Sequence, residues 1–195
     1  MRIRLVLFTL LLTLAAPAGA WQLRQDDAGI RIWTQRAADG PHEVKAQMTV
    51  SASPDAVLAV LQNYDDIAWR GDMLERMEVV ERPSEDVMLL QVEADPPWPL
   101  SDSTSIVETR ISREADGTIV YSYRDRDDLL PPDASRPPAS LEGEWRLAPV
   151  AEGTQVMHVV EAEPNVAIPG WLLDRLIYRQ PRDQFTNLRE KLASE

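Results

Sequence analysis

The stretch from Ile168 to Leu192 constrains the chain most, because it reads as one long amphipathic helix that has to be buried against a partner. Leu173, Ile177, Phe185, Leu188 and Leu192 recur at steps of three or four once Pro181 is given a place on the stripe, while Asp174, Arg182, Glu190 and Lys191 fall mostly elsewhere. Pro169 lies near the start, where a missing N–H is tolerated. Pro181 crowds the carbonyl of Ile177 and removes a hydrogen bond, so a kink or a break between two helical pieces is expected there.

The surface that the helix needs is supplied by the middle of the chain. Val44, Ala46, Met48 and Val50 alternate with Glu43, Lys45, Gln47 and Thr49, the pattern of a half-buried strand. Gly29 to Trp33 alternates as an edge strand would, and Trp21 to Ala28 reads as a polar opening. Further strands are expected over Met77–Arg82, Val87–Ala94, Thr104–Arg113, Thr118–Arg126, Leu141–Ala148 and Thr154–Glu163. Asp116-Gly117 and Glu152-Gly153 mark tight hairpins between them. Ser53 as N-cap and Pro54 at the first helical position start a short helix with Val57, Leu58 and Leu61 on its apolar side, ending near Asn63 or Tyr64. Asp65 to Asp72 then makes a polar connection around Trp69. The order strand, strand, helix, about six strands, long helix gives an α+β fold in which an antiparallel sheet faces the last helix.

Residues 1–20 stand apart from that fold. Arg2 and Arg4, the apolar run Leu5 to Ala15 and the small residues Ala18-Gly19-Ala20 form the pattern of a secretory signal peptide cleaved after Ala20. The expected location is periplasmic or secreted, with residues 21–195 as one ligand-binding domain. That leaves roughly 175 residues, enough to bury a core without metal or disulfide support. The chain has no cysteine, which excludes a disulfide scaffold, thiolate ligands and a cysteine nucleophile. A formal net charge of -12 argues against nucleic acid as a partner and against standing adsorption to anionic membranes, but leaves room for transient membrane contact.

Residues for chemistry are few. No HExxH, GxSxG, GxGxxG or Walker A sequence occurs, and neither a metal nor a cofactor is expected. His42 follows Gly40-Pro41 in a link and reads as a surface residue. His158 alternates with Val156, Val160 and Ala162, so it is a structural histidine, a polar contact in a ligand cavity, or a general base or metal ligand. Aromatic residues are more informative. Tyr121 and Tyr123 share one strand face, Trp145 and Leu147 share another, and Trp98 is held between Pro97 and Pro99 as a corner plug or a cavity-lining side chain. The connection from Asp127 to Ser140 carries Pro131, Pro132, Pro137 and Pro138, and its adjacent Leu129 and Leu130 favour a flap over a solvated linker.

Val50 to Val57, the Trp69 segment, Pro97-Trp98-Pro99-Leu100-Ser101-Asp102, Glu142 to Pro149 and Ile168-Pro169-Gly170-Trp171-Leu172 together resemble the START lipid-transfer domain family of the helix-grip superfamily, over roughly residues 22–192. The resemblance implies a helix-grip fold, a curved antiparallel sheet wrapped around a long C-terminal helix. It also implies a cavity between them for a lipid or other apolar small molecule, and no catalytic residue. On that reading the cavity candidates are Trp98, Tyr121, Tyr123, Trp145, His158, Trp171 and Leu172, and the gating loop carries Leu129, Leu130 and Arg136. Where the family commonly has an Arg-Asp pair, this chain has Ser103-Thr104, and Arg136 or the His158 strand is the expected substitute polar contact. The leading expectation is a non-enzymatic carrier of a hydrophobic molecule. The alternatives are a polyketide cyclase- or hydrolase-like enzyme on the same scaffold and an acidic protein-interaction module with a residual cavity.

Overall fold

The computed structural model describes residues 20–36, 42–137, 139–164, the single positions 167, 169, 172 and 175, and residues 179–194. The expected signal peptide, apart from Ala20, lies outside the described residues, as do Trp171, Leu173 and Ile177.

Nine strands form one antiparallel sheet: β1 (Gln22–Asp27), β2 (Ile30–Arg36), β3 (His42–Val50), β4 (Leu74–Ser84), β5 (Val87–Ala94), β6 (Ser103–Arg113), β7 (Ile119–Asp125), β8 (Ala139–Val150) and β9 (Gly153–Pro164). Their order across the sheet is β1-β2-β3-β9-β8-β7-β6-β5-β4, so the first three strands join the rest through the pairing of β3 with the last strand. This is the α+β class expected. One correction concerns the edge: β2 has neighbours on both sides, and the edge strand is β1. Gln22–Asp27 lacks apolar alternation because an edge strand with a largely solvated surface has no need of it. Ala28 and Gly29 both take positive φ, which makes the two-residue turn that joins β1 to β2.

Among the described residues two continuous α-helices cover one face of the sheet, its inner face. In α1 (Pro54–Gln62) the Ser53 hydroxyl accepts the Ala56 N–H at 3.2 Å, and Val57, Leu58, Val60 and Leu61 are buried. Helix α2 (Gln180–Ala193) buries Phe185 and Leu188. Leu172 is α-helical too, but the continuous described helix begins at Gln180, which puts Pro181 in its first turn, where it needs no N–H partner. Arg175 and Arg179 have the wider π-helical hydrogen bonding, so the stretch from Ile168 is not one uniform α-helix. Helix α1 packs on β7 and β8, and α2 on β2, β3 and a 3₁₀ turn at Ala68–Arg70. Val44, Ala46, Met48 and Val50 of β3 point to this side and are all buried, as the alternation predicted.

A buried polar cluster beneath the helices

The inner face of β7–β9 carries a tier of rings. Tyr121 pairs with Trp145, and Trp145 with His158, so the three side chains lie side by side on one face. The His158 imidazole stacks on Trp145 with centroids 3.9 Å apart and planes 7° from parallel, and Phe185 of α2 stacks on Trp145 at 5.6 Å. Tyr123 pairs with Gly143, and its hydroxyl shares a hydrogen bond of 2.9 Å with His158 Nε2. Burial, and secondarily the Arg70 charge, lowers the His158 pKa to about 3, so the ring is neutral near pH 7. A general base works best with a pKa near the operating pH, and His158 is too weak a base for that.

A second set of polar groups sits beside this tier. Tyr64, just beyond α1, places its hydroxyl 2.9 Å from that of Tyr121. Burial raises the pKa of Tyr64, of Tyr121 and of Tyr123, so all three phenols keep their protons. Arg70, at the end of the 3₁₀ turn, is only 7% exposed. Its Nη2 donates to the Leu61 carbonyl in the last turn of α1, and its guanidinium lies 4.4 Å over the Trp69 ring. Burial lowers the Arg70 pKa, which the tyrosines partly offset. Arg70 Nε and Trp69 Nε1 are both buried donors without an acceptor.

From this cluster the inner face runs on across β6, β5 and β4. Register puts Val107, Leu90, Val92, Val79 and Met77 on it. Val107, Val92, Val79 and Met77 are only half-buried, and neither helix packs substantially on these three strands among the described residues. By contrast, the space under α2 itself is filled by Phe185, Leu188 and Trp145, so the hollow expected directly beneath that helix is not found at its described part. A cleft of about 490 Å³ lies on the opposite, outer face, lined by residues such as Glu108, Arg124, Glu142 and Glu161. Its walls carry charged side chains that are partly paired, with Arg124 and Arg126 2.9 and 2.8 Å from Glu108, beside the apolar Val159.

The remaining candidates fall in different places. Trp98 is 84% exposed on a turn with a cis Trp98–Pro99 bond, so it stands in solvent rather than in the interior. Its flanking prolines hold the turn outside the sheet. In the loop between β7 and β8, Leu130 is buried, Leu129 and Arg136 are exposed, and Ser135 ties the loop to β6 by accepting the Thr104 N–H at 2.8 Å and donating to the Asp102 carbonyl at 2.6 Å. Leu172 is fully buried.

A family model described as polyketide cyclase / dehydrase and lipid transport matches residues 41–193. The chain belongs to that family. An uncharacterized protein of Pseudomonas aeruginosa is 25% identical over 179 residues, covering 89% of this chain and 87% of the other. The fold is that of START proteins. A STAR-related lipid transfer protein fragment from Xanthomonas axonopodis superposes with a TM-score of 0.78 at 23% identity, over 89% of this chain and 98% of that one. Human StAR-related lipid transfer protein 5 gives 0.77 at 13% identity, over 92% and 88%.

Within this START fold the cluster combines four of the cavity candidates, Tyr121, Tyr123, Trp145 and His158, with three residues that were not among them, Tyr64, Trp69 and Arg70. Arg70 is the buried cation of the inner face, whereas the expected substitute Arg136 is on the surface. A usable signal was present: an Arg a few residues past a short helix can reach back to its terminal carbonyls.

Proposed function

We propose that the protein binds and carries a hydrophobic small molecule or lipid without chemical change. The molecule lies on the inner face of the sheet, against the apolar surface of β4–β6, with Tyr121, Tyr123, Leu172 and the 126–138 loop at its borders. The observation that supports this most is the juxtaposition of that half-covered apolar strip, Met77, Val79, Val92 and Val107, with a cluster of buried polar groups. Apolar side chains in a monomer are normally covered, and each Å² removed from water contributes about 25 cal/mol to the binding of whatever covers them. The protonated state of Tyr123 and the weak basicity of His158 favour a carrier over an acid–base enzyme. Leu130 and the Ser135 tether make the 126–138 loop the gate on this reading.

The protein works outside the cytoplasm on the same proposal, after removal of residues 1–20. Arg2, Arg4, the apolar run and Ala18-Gly19-Ala20 support this, and the described sheet begins just beyond, at Gln22. Native mass spectrometry of the protein purified from its own host, followed by solvent extraction, tests both points. Expected are a mature N-terminus at Trp21 and one apolar molecule per chain. Folded protein that releases no stoichiometric apolar molecule would count against the carrier.

A further inference from the structure

The polar cluster is unbalanced in a way that specifies what should meet it. Arg70 is almost completely buried, and among the described residues its hydrogen-bond acceptor is one backbone carbonyl, that of Leu61. No carboxylate figures among the groups that act on it, which are Tyr121, Tyr64 and Tyr123. A guanidinium has five N–H donors in a rigid fork, and one carbonyl leaves most of them unused. The neighbouring indole Nε1–H of Trp69 is also buried and unserved, and the two side chains are stacked on one another. The hydroxyls of Tyr64 and Tyr121 can turn their protons toward an added acceptor. Among the described residues the site therefore has a surplus of donors, a full positive charge and no anion. Leaving such a charge buried and unpaired is unfavourable, and a charged acceptor placed against it offsets that cost through strong charge-assisted bonds.

Resting on the carrier reading above, we propose that the cargo is an amphiphile with one anionic head group, a carboxylate or a phosphate. The head group binds Arg70 and the Trp69 indole N–H, with Tyr64 and Tyr121 beside it, and the tail lies along Val107, Val92 and Met77. The order of the sheet then runs from head-group site to tail site without a break, since Thr109 of β6 stands next to Tyr123 and two residues from Val107.

The test compares three probes on the full mature protein, cis-parinaric acid, its methyl ester and an oleoyl lysophosphatidic acid, the last of them used as competitor beside oleate. The acid is expected to bind at least about tenfold more tightly than the ester. Arg70→Met should remove that preference by weakening the acid and leaving the ester unchanged, and Arg70→Lys should keep part of it. Displacement of the acid by the lysophosphatidic acid at lower concentration than by unlabelled oleate assigns the site to phosphate, and the reverse order to carboxylate. Equal affinity of acid and ester for the wild type overturns the anionic head group while leaving the carrier intact. Failure of all three probes, together with no extractable ligand, overturns the carrier itself. Should Arg70→Met not fold, the wild-type comparison of acid with ester decides alone.

Discussion

The Tyr123 hydroxyl reaches His158 Nε2, at 2.9 Å, across the bare backbone of Gly143. A Cβ at that glycine would sit 2.7 Å from the Tyr123 hydroxyl oxygen and 2.5 Å from the Val159 carbonyl oxygen. The glycine thus makes room for a hydrogen bond between two strands that flank its own.

Gly143→Ala should destabilise the protein by about 1–3 kcal/mol, the usual result of overpacking a close contact. Urea unfolding measures it. Because a backbone oxygen is one of the two obstacles, combining the change with Tyr123→Ala should not restore the lost stability. Full restoration would mean that ring crowding alone is at fault.

The buried imidazole predicts a pH dependence with a definite sign. Its folded pKa of about 3 lies below the ordinary value near 6.5, so at intermediate pH the unfolded chain takes up a proton that the folded chain refuses. Its contribution is complete above about pH 6.5 and is lost as the pH falls toward 3, at up to about 1.4 kcal/mol per pH unit. His158→Phe should flatten the stability profile between about pH 3 and 6.5 relative to wild type. Parallel profiles for the two proteins would show that His158 is not the group responsible.

Phe185 and Trp98 should behave as opposites. Phe185 is fully buried against Trp145, and Phe185→Ala is expected to cost about 3–5 kcal/mol. Trp98→Ala, at a largely solvated side chain, should stay within about 0.5 kcal/mol of wild type. Thermal unfolding of the pair checks both, and a large loss at Trp98 would place that indole in contact with the fold.

Ser53→Ala should cost about 1 kcal/mol by leaving an N–H of the first turn of α1 without its side-chain acceptor. Ser53→Asp, which keeps an acceptor there, should recover most of it in the same unfolding assay.

What could be read in advance follows from how each element is stabilised. Strands β3 and β7 to β9 each have one face toward the core and show it as alternation, and β5 shows itself as a run of four buried apolar residues, Val87 to Leu90, so their positions were legible to within a few residues. Strand β1 buries almost nothing and therefore carries no such mark, although its partner β2 does. The inward rings Tyr121, Tyr123, Trp145 and His158 followed from the same alternation. Arg70 did not, because a charged residue in a polar connection looks solvated until α1 and the 3₁₀ turn are seen to fold it inward. Trp98 misled for the converse reason, since an indole between prolines looks anchored whichever way it points.

The pairing of β3 with β9 also bears on how the chain assembles. His42–Val50 cannot find its second neighbour until Gly153–Pro164 is available, more than a hundred residues later in the chain. Closing so long a loop is entropically expensive and slows folding. The first three strands should therefore acquire protection from hydrogen exchange late, together with the last strand. A chain cut before residue 153 should lose its N-terminal meander as surely as the strand that was removed.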